Sequence, residues 1–372
     1  MILFLHHRYR TSGGEEQAVA DLMWLVRERL GEDAELLERD STAVDHARAA
    51  AGLIRGGLDP DEVARAVRRT GARIVHAHNL HPTLGWRALA AAREAGARVV
   101  LHLHQYRLVC AIGVCFRDGH ECLRCHGRNT LPGIAHNCRG SRAEAAAYGV
   151  ALSAWQRRLA AQADAFVVPS RFAETRLRAL GAPLGATFVV PHVIRGFASA
   201  PPSPRGDHAL VVSRLAPEKG VGVAIEACRL AGVPLLIAGD GPERERLAAG
   251  AGEHVRFLGR VAGEELTRLR DGARLALVPS LSAETFGLAA AEAMAAGLPV
   301  AASRIGALPE LVPEPWLAPP GDAPALARVM RELDHDNGGS GAAALARVRA
   351  VTAPEHVAPA LAAVYEHAMA RR

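Results

Sequence analysis

Ala209-Leu210-Val211-Val212-Ser213-Arg214-Leu215-Ala216-Pro217-Glu218-Lys219-Gly220 runs straight into an Ala/Leu/Val-rich stretch of helical period at 221–231. Four consecutive apolar residues read as a strand covered on both faces, and the polar turn that follows carries two cations into a helix. Strand, turn and helix in that order form the unit of a parallel, doubly wound α/β sheet. The same alternation repeats downstream, with apolar runs at 234–238, 255–258, 275–278 and 299–302. Upstream it recurs at 2–5, 73–76, 98–103, 165–168 and 187–190, with helical patterns at 16–30, 60–70 and 83–95 between them.

Between the two series lies a Pro/Ser/Gly-rich stretch, 198–206, with no periodicity, which reads as a linker. The expected organisation is a first Rossmann-like domain over 1–195 on the acceptor side, with a Cys-rich insert at 108–140. A second such domain, for the donor, spans 206–352. A final helix within 353–372 packs back on the first domain. At 372 residues the chain suits two domains rather than one core. Strand ends of both domains would face a central cleft.

Composition narrows the partners. No run approaches the roughly 18 apolar residues of a membrane span. The opening Met1-Ile2-Leu3-Phe4-Leu5-His6-His7 is too short for a signal-peptide apolar region and reads as a buried first strand. The expectation is a cytoplasmic protein, or one lying peripherally at the inner face of the membrane. The first 200 residues hold 26 Arg against 19 Asp and Glu, whereas the rest of the chain is slightly acidic. A basic first half suits a membrane surface or an anionic acceptor. The Arg are scattered among few aromatics, so nucleic acid is not an expected partner.

Of the 44 basic residues, Lys219 is the single lysine. A compact ammonium and a planar guanidinium are not equivalent where a point charge must reach phosphate. Arg214 and Lys219, five residues apart on a loop at the carboxyl edge of a sheet, can straddle a diphosphate. A second loop, Pro279-Ser280-Leu281-Ser282-Ala283-Glu284-Thr285-Phe286-Gly287-Leu288, opens a helix over 289–296 with Thr285 as its expected N-cap. Free amides at Gly287 and Leu288 would form an anion site at the positive end of the helix dipole. Glu284 and Glu292 bracket that anion site. Carboxylates are tolerable there if they accept hydrogen bonds from sugar and ribose hydroxyls.

The ordered set Ser213-Arg214-Leu215…Glu218-Lys219-Gly220, Gly239-Asp240-Gly241, Phe257-Leu258-Gly259 and Glu284…Glu292 with Phe286-Gly287-Leu288 resembles the retaining glycosyltransferases of family 4, glycosyl transferases group 1, of GT-B fold. Gly306-Ala307-Leu308-Pro309-Glu310, Gly13-Gly14-x-Glu16 and His104-Gln105-Tyr106-Arg107 fit the same pattern. The resemblance implies a hexosyltransferase-type enzyme that moves a sugar from a UDP- or GDP-sugar to a glycan, glycolipid or small-molecule acceptor, as in polysaccharide biosynthesis. No cofactor or divalent metal is implied for the chemistry. Arg214 and Lys219 would hold the diphosphate, with backbone help from Gly14, Gly287 and Leu288, and Gly13, Gly239 and Phe286 would complete the donor-binding set. Glu284 would bind the transferred sugar and Glu292 the ribose, while Arg260 and Val261 would meet the base. His104 would sit by the anomeric carbon, joining Arg214, Lys219 and Glu284 as the catalytic set. Gln105 stands where the family often has Asp, and Ala307 where it often has Gly.

Five of the six cysteines fall at 110–138. Their spacing, with His120, His126 and His136 nearby, leaves a structural zinc, a disulfide pair and free thiols open. The resemblance implies Cys110, Cys122, Cys125 and Cys138 as the zinc set. His6, His7, His76 and His78 stand near strand ends as structural or acceptor-side groups. A nucleotide-sugar epimerase on the same fold lacks an acid/base set that can be placed. A zinc-containing nucleic-acid-binding protein leaves the 213–292 constellation unexplained.

Overall fold

In the computed structural model, which describes residues 1–9, 13–201, 206–335 and 339–370, the chain forms two compact units. Residues 1–115, 122–193 and 354–372 make the first, and 116–121 with 194–353 the second. The linker expected at 198–206 falls partly outside the described residues.

The first unit contains β1 (Ile2–Arg8), α1 (Gly14–Leu30), β2 (Ala34–Asp40), α2 (His46–Arg55), α3 (Pro60–Thr70), β3 (Ile74–Ala77), α4 (Gly85–Glu94) and β4 (Arg98–His102). After the hairpin β5 (Phe116–Arg117) and β6 (His120–Glu121) come α5 (Pro132–Ala135), α6 (Arg142–Ala161), β7 (Ala165–Val168), α7 (Arg171–Ala179) and β8 (Thr187–Val189). The sheet order is β2-β1-β3-β4-β7-β8, parallel throughout. β1 and β3 are almost wholly buried, as continuous apolar runs require. β2 escaped the sequence reading because it is an edge strand. Its Glu35, Glu38, Arg39 and Asp40 interrupt Leu36 and Leu37, so no continuous apolar run marks it.

The second unit runs β9 (His208–Val212), α8 (Val221–Ala231), β10 (Leu235–Ala238), α9 (Arg244–Ala249), β11 (Val255–Gly259), α10 (Gly263–Asp271), β12 (Ala273–Val278) and α11 (Leu288–Ala295). It continues with β13 (Val300–Ser303), α12 (Leu308–Leu311), β14 (Leu317–Ala318), α13 (Ala323–His335) and α14 (Gly339–Thr352). The order β11-β10-β9-β12-β13-β14 is again fully parallel. The expectation of two Rossmann-like parallel sheets therefore holds.

The last helix, α15 (Pro354–Ala370), belongs to the first unit. Val357, Leu361, Val364 and Tyr365 pack with Ile2 and Phe4 of β1 and Leu22 and Leu25 of α1 in one apolar cluster. No helix of the described residues is long and apolar enough to cross a membrane.

Candidate functional site

In the second unit the winding reverses between the adjacent strands β9 and β12. Loops leaving the carboxyl ends of such a pair diverge to opposite faces of the sheet and leave a crevice, the usual ligand position in this architecture. The loop after β9 carries Arg214 and Lys219. The loop after β12 carries Ser280, Glu284 and Gly287. They are stitched together by main chain: the amides of Leu281 and Ser282 donate to the Glu218 carbonyl at 2.9 and 3.2 Å. Gly220, with φ 64, lies so close to that second loop that a β-carbon would stand 2.1 Å from the Pro279 carbonyl oxygen. Here only glycine meets both requirements.

Lys219 Nζ donates to Glu284 Oε1 at 2.6 Å, and Ser280 Oγ donates to the same oxygen at 2.6 Å. Burial alone would raise the Glu284 pKa. The charge of Lys219, its hydrogen bond and that of Ser280, with Arg214 close by, outweigh burial and hold it below the usual carboxylate range. Glu284 is therefore an anion at neutral pH. Arg214 pairs with Glu218. The reading from sequence aimed the cations at phosphate and Glu284 at hydroxyls; the structure joins Lys219 to Glu284 directly. Lys219 has three ammonium protons, so one bond to Glu284 leaves donors over.

The helix at this site starts at Leu288, one residue before the expected 289, and with a different cap. Gly287, not Thr285, is the N-cap of α11, with φ 97 and no side-chain cap. Thr285 lies two residues before that cap, outside the helix. The uncapped first-turn amides from Leu288 onward keep the polar character that suits an anion. Glu292, in the second turn, pairs with Arg270 of α10 rather than standing in solvent.

Two glycine segments shape the rest. A β-carbon at Gly239 would lie 1.8 Å from the Ser213 carbonyl, and one at Gly241 2.3 Å from that of Leu215. The Leu215 amide donates to the Asp240 carbonyl at 2.9 Å. Gly239-Asp240-Gly241 thus pins the backbone that presents Arg214. The Gly239 amide reaches the Gly259 carbonyl at 2.6 Å, which sets the exit of β11 where Arg260 is exposed and Val261 half-buried.

Gly306 lies in the turn between β13 and α12. It has φ 62, and a β-carbon there would stand 2.3 Å from the Glu284 amide nitrogen. The next residue, Ala307, donates its amide to the Glu284 carbonyl at 2.9 Å. This turn braces the Glu284 backbone. The signal available was a Gly at a left-handed turn before a short helix.

In the first unit, Gly13 caps α1, and the Glu16 side chain returns to its amide at 2.8 Å; Gly14 is the first helical residue. His104 joins a stack of imidazoles from three strand ends. The His102–His104 rings are 4.1 Å apart at 9°, and His104–His192 5.3 Å apart at 8°. His78 Nδ1 lies 2.7 Å from His104 Nε2, and His76 Nδ1 2.8 Å from the Tyr365 hydroxyl. Burial is the largest cause in each case, and it holds His76, His104 and His192 down to about 3 and His78 and His102 well below their ordinary value. These rings are neutral at pH 7, so His104 is a hydrogen-bonding group there rather than a proton store.

Ligand atoms of His76, His78 and His102, and of His102, His104 and His192, lie within 4.8 Å of one another. A metal sits near the plane of each imidazole it binds, whereas stacked parallel rings put their lone pairs in separate planes. Among the described residues no three cysteine sulfurs meet that spacing. The set Cys110, Cys122, Cys125 and Cys138 therefore does not fit a tetrahedral zinc as the resemblance implied. Instead Cys110 pairs with Cys115, which that set omitted. Hydrogen bonding with Cys115, against burial, brings the Cys110 thiol down to about 6. All six cysteines are free thiols.

Two doubly wound sheets and an anion-ready crevice at a switch point mark a scaffold of the ligand-binding α/β kind. Residues 7–192 match the family described as glycosyl transferase 4-like domain, and residues 206–336 that of glycosyl transferases group 1. The chain belongs to the glycosyl transferases of group 1 type with the GT-B fold. It is 39% identical over 142 residues to the amylovoran biosynthesis glycosyltransferase of Erwinia amylovora, covering 33% of this chain and 35% of that one. It is likewise 39% identical over 130 residues to a phosphatidyl-myo-inositol mannosyltransferase of Mycobacterium leprae, covering 32% and 34%. The match spans about a third of the length of these curated relatives. Among solved structures, sucrose-phosphate synthase from Thermosynechococcus elongatus superposes with a TM-score of 0.71 at 19% identity, over 99% of both chains. Anabaena HepE in complex with UDP-glucose gives 0.68 at 19%, over 98% of this chain and 99% of that one. These likenesses bear on the fold.

Proposed function

We propose that this protein transfers a glycosyl group from a UDP- or GDP-sugar to an acceptor hydroxyl, with retention at the anomeric carbon. The observation that carries the reading is the joining of the β9 and β12 loops, which gathers Arg214, Lys219, Glu284 and the start of α11 at one switch point. Breaking the anomeric bond loads negative charge onto the diphosphate. Fixed cations and helix amides aimed at that charge stabilise it as it develops, usually the largest catalytic contribution.

On this reading Lys219 and Arg214 turn toward the diphosphate. Glu284, ionised and braced by Gly306, accepts hydrogen bonds from hydroxyls of the transferred sugar. Glu292 takes the ribose, Arg260 and Val261 the base, and Gly14 lends its amide. The departing phosphate takes the acceptor's proton on the same face, so a neutral His104 orients groups and need not supply a proton. The cations fill the place of a divalent metal. Glycan, lipid-linked and small-molecule acceptors all suit the first unit.

The test is thermal unfolding with UDP-, GDP-, ADP- and TDP-sugars. A tight ligand raises the unfolding midpoint by mass action. One nucleotide class should stabilise the wild type, and the shift should vanish in Lys219→Ala. A shift that survives in that variant removes the assignment.

A further inference from the structure

The first unit contains a recess, open to solvent, that the donor chemistry leaves unused. Its walls are apolar: Leu53 of α2, Trp86 of α4, and Leu152, Trp155 and Leu159 of α6. The Trp155 indole donates to the Leu53 carbonyl at 3.0 Å, so these walls are held together by more than packing. Tyr9, Glu15, His104, Gln105 and Arg107 gather as polar lining.

Arg107 is the unusual member of that lining. Its NH1 donates to the Tyr9 hydroxyl at 3.1 Å and to Asn79 Oδ1 at 3.4 Å, both neutral acceptors. Its Nε is buried without a hydrogen-bond partner, and no carboxylate of the described residues lies within 4 Å of it. A desolvated guanidinium is normally matched by an acid. The carboxylate that shares the recess, Glu15, is 11% exposed; burial raises its pKa against the opposing charges of His6 and Arg107, and it is hydrogen-bonded by Gln105 Nε2 at 3.2 Å and by Tyr9. The histidines of the lining, His78, His81, His102 and His104, are neutral. Arg107 thus feels the charge of Glu15 without an ion-pair contact to it, and its buried Nε leaves a donor open to an anion beside apolar walls. On the outside of the same two helices, Ile54 of α2 is 64% exposed and Val150 of α6 54%.

We infer that this recess binds the acceptor, and that the acceptor is an amphipathic acid with a hydrocarbon body against Trp86, Trp155, Leu53 and Leu152 and a phosphate or carboxylate on Arg107. This deepens the transferase reading by naming a substrate class. His104 in the same lining then lies beside the bound molecule's polar end.

The probes are n-octyl phosphate, n-octanol and inorganic phosphate, each titrated while the fluorescence of Trp86 and Trp155 is followed. Octyl phosphate should bind about tenfold or more tightly than either fragment, the range expected when a charged hydrogen bond adds to apolar burial. Arg107→Gln should bring it down to the level of octanol, while Arg107→Lys, which keeps the charge, retains part of the preference. Leu152→Ala should weaken octyl phosphate and octanol together. Far-ultraviolet circular dichroism confirms folding, and Arg107→Lys carries the test if the Gln variant does not fold. Octyl phosphate binding no better than octanol, or unmoved by both Arg107 variants, overturns the inference. If it holds, Arg107-dependent sedimentation with phosphatidylcholine vesicles containing phosphatidic acid assigns the acid to a lipid, and its absence to a soluble acceptor. Nucleotide-induced stabilisation through Lys219 is read separately, so either proposal can fail alone.

Discussion

The two units share one architecture and charge their strand ends in opposite ways. In the second unit the loops at the sheet edge are ionic, Lys219 with Glu284 and Arg214 with Glu218, and the helices beside them add Arg270 with Glu292. In the first unit the corresponding edge is a stack of neutral imidazoles beside an apolar-walled recess that holds the Arg107 guanidinium with no ion-pair contact. Winding order determines where a doubly wound sheet can bind something. What it binds is left to the loops, and here one set suits a leaving group that gains charge while the other suits a hydroxyl that needs placing.

The contrast is broken most sharply at Lys219. Lys219→Ala should lower transfer by about 10²–10³, the usual loss on removing one donor to a developing anion. Lys219→Arg should recover part of it, because charge returns without the compact geometry. Sugar transfer from the nucleotide class that passes the thermal screen, with circular dichroism as the control for folding, supplies the measurement. Activity within a few-fold of wild type would show that the ionic edge is not the donor site.

A smaller effect is expected at Gly306. Gly306→Ala forces a β-carbon against the Glu284 backbone at positive φ, and should destabilise the fold by about 1–3 kcal/mol. Urea unfolding gives that figure. Donor binding should weaken with it, since the strain falls on the carboxylate's own backbone; unchanged stability would mean the turn does not brace Glu284.

The neutral edge of the first unit predicts a pH dependence. The histidines held near 3 have an ordinary value of 6.5, so between those limits the unfolded chain binds more protons than the folded one. Stability is complete above pH 6.5 and drains as pH falls toward 3, by up to about 1.4 kcal/mol per pH unit for each such histidine. His76→Phe should flatten the slope of unfolding free energy against pH. A flat profile over that range in the wild type would place those rings in water. The same values predict no activity limb from His104 between pH 5 and 8.

Least of all should change with Arg270→Ala. Its pair with Glu292 is partly exposed, and its loss should lower stability by no more than about 1 kcal/mol. Affinity for a nucleoside diphosphate, measured by calorimetry, should shift only through the freed Glu292; a loss as large as that at Lys219 would make this pair part of the phosphate site.

The strands at 209–212 and 2–5 were legible because a strand buried on both faces is an unbroken apolar run. Arg214 and Lys219 were legible because strand, turn and helix follow one another directly in the chain. β2 was not, since its charged residues break the run. Thr285 was a reasonable cap by residue type, but the left-handed entry of Gly287 displaced it. The fourfold cysteine spacing is regular in the chain, yet Cys115 took the partner's place beside Cys110.

Local order along the chain thus determined the two parallel sheets and the cationic loop, because neighbours in sequence are neighbours in space there. Only tertiary structure decided that Lys219 meets Glu284, that Gly306 braces it, that five strand-end histidines stack, and that Arg107 lies in the recess with Glu15 while its Nε has no partner. Those partners lie tens of residues apart and are brought together by strand register and winding, which no short-range pattern records.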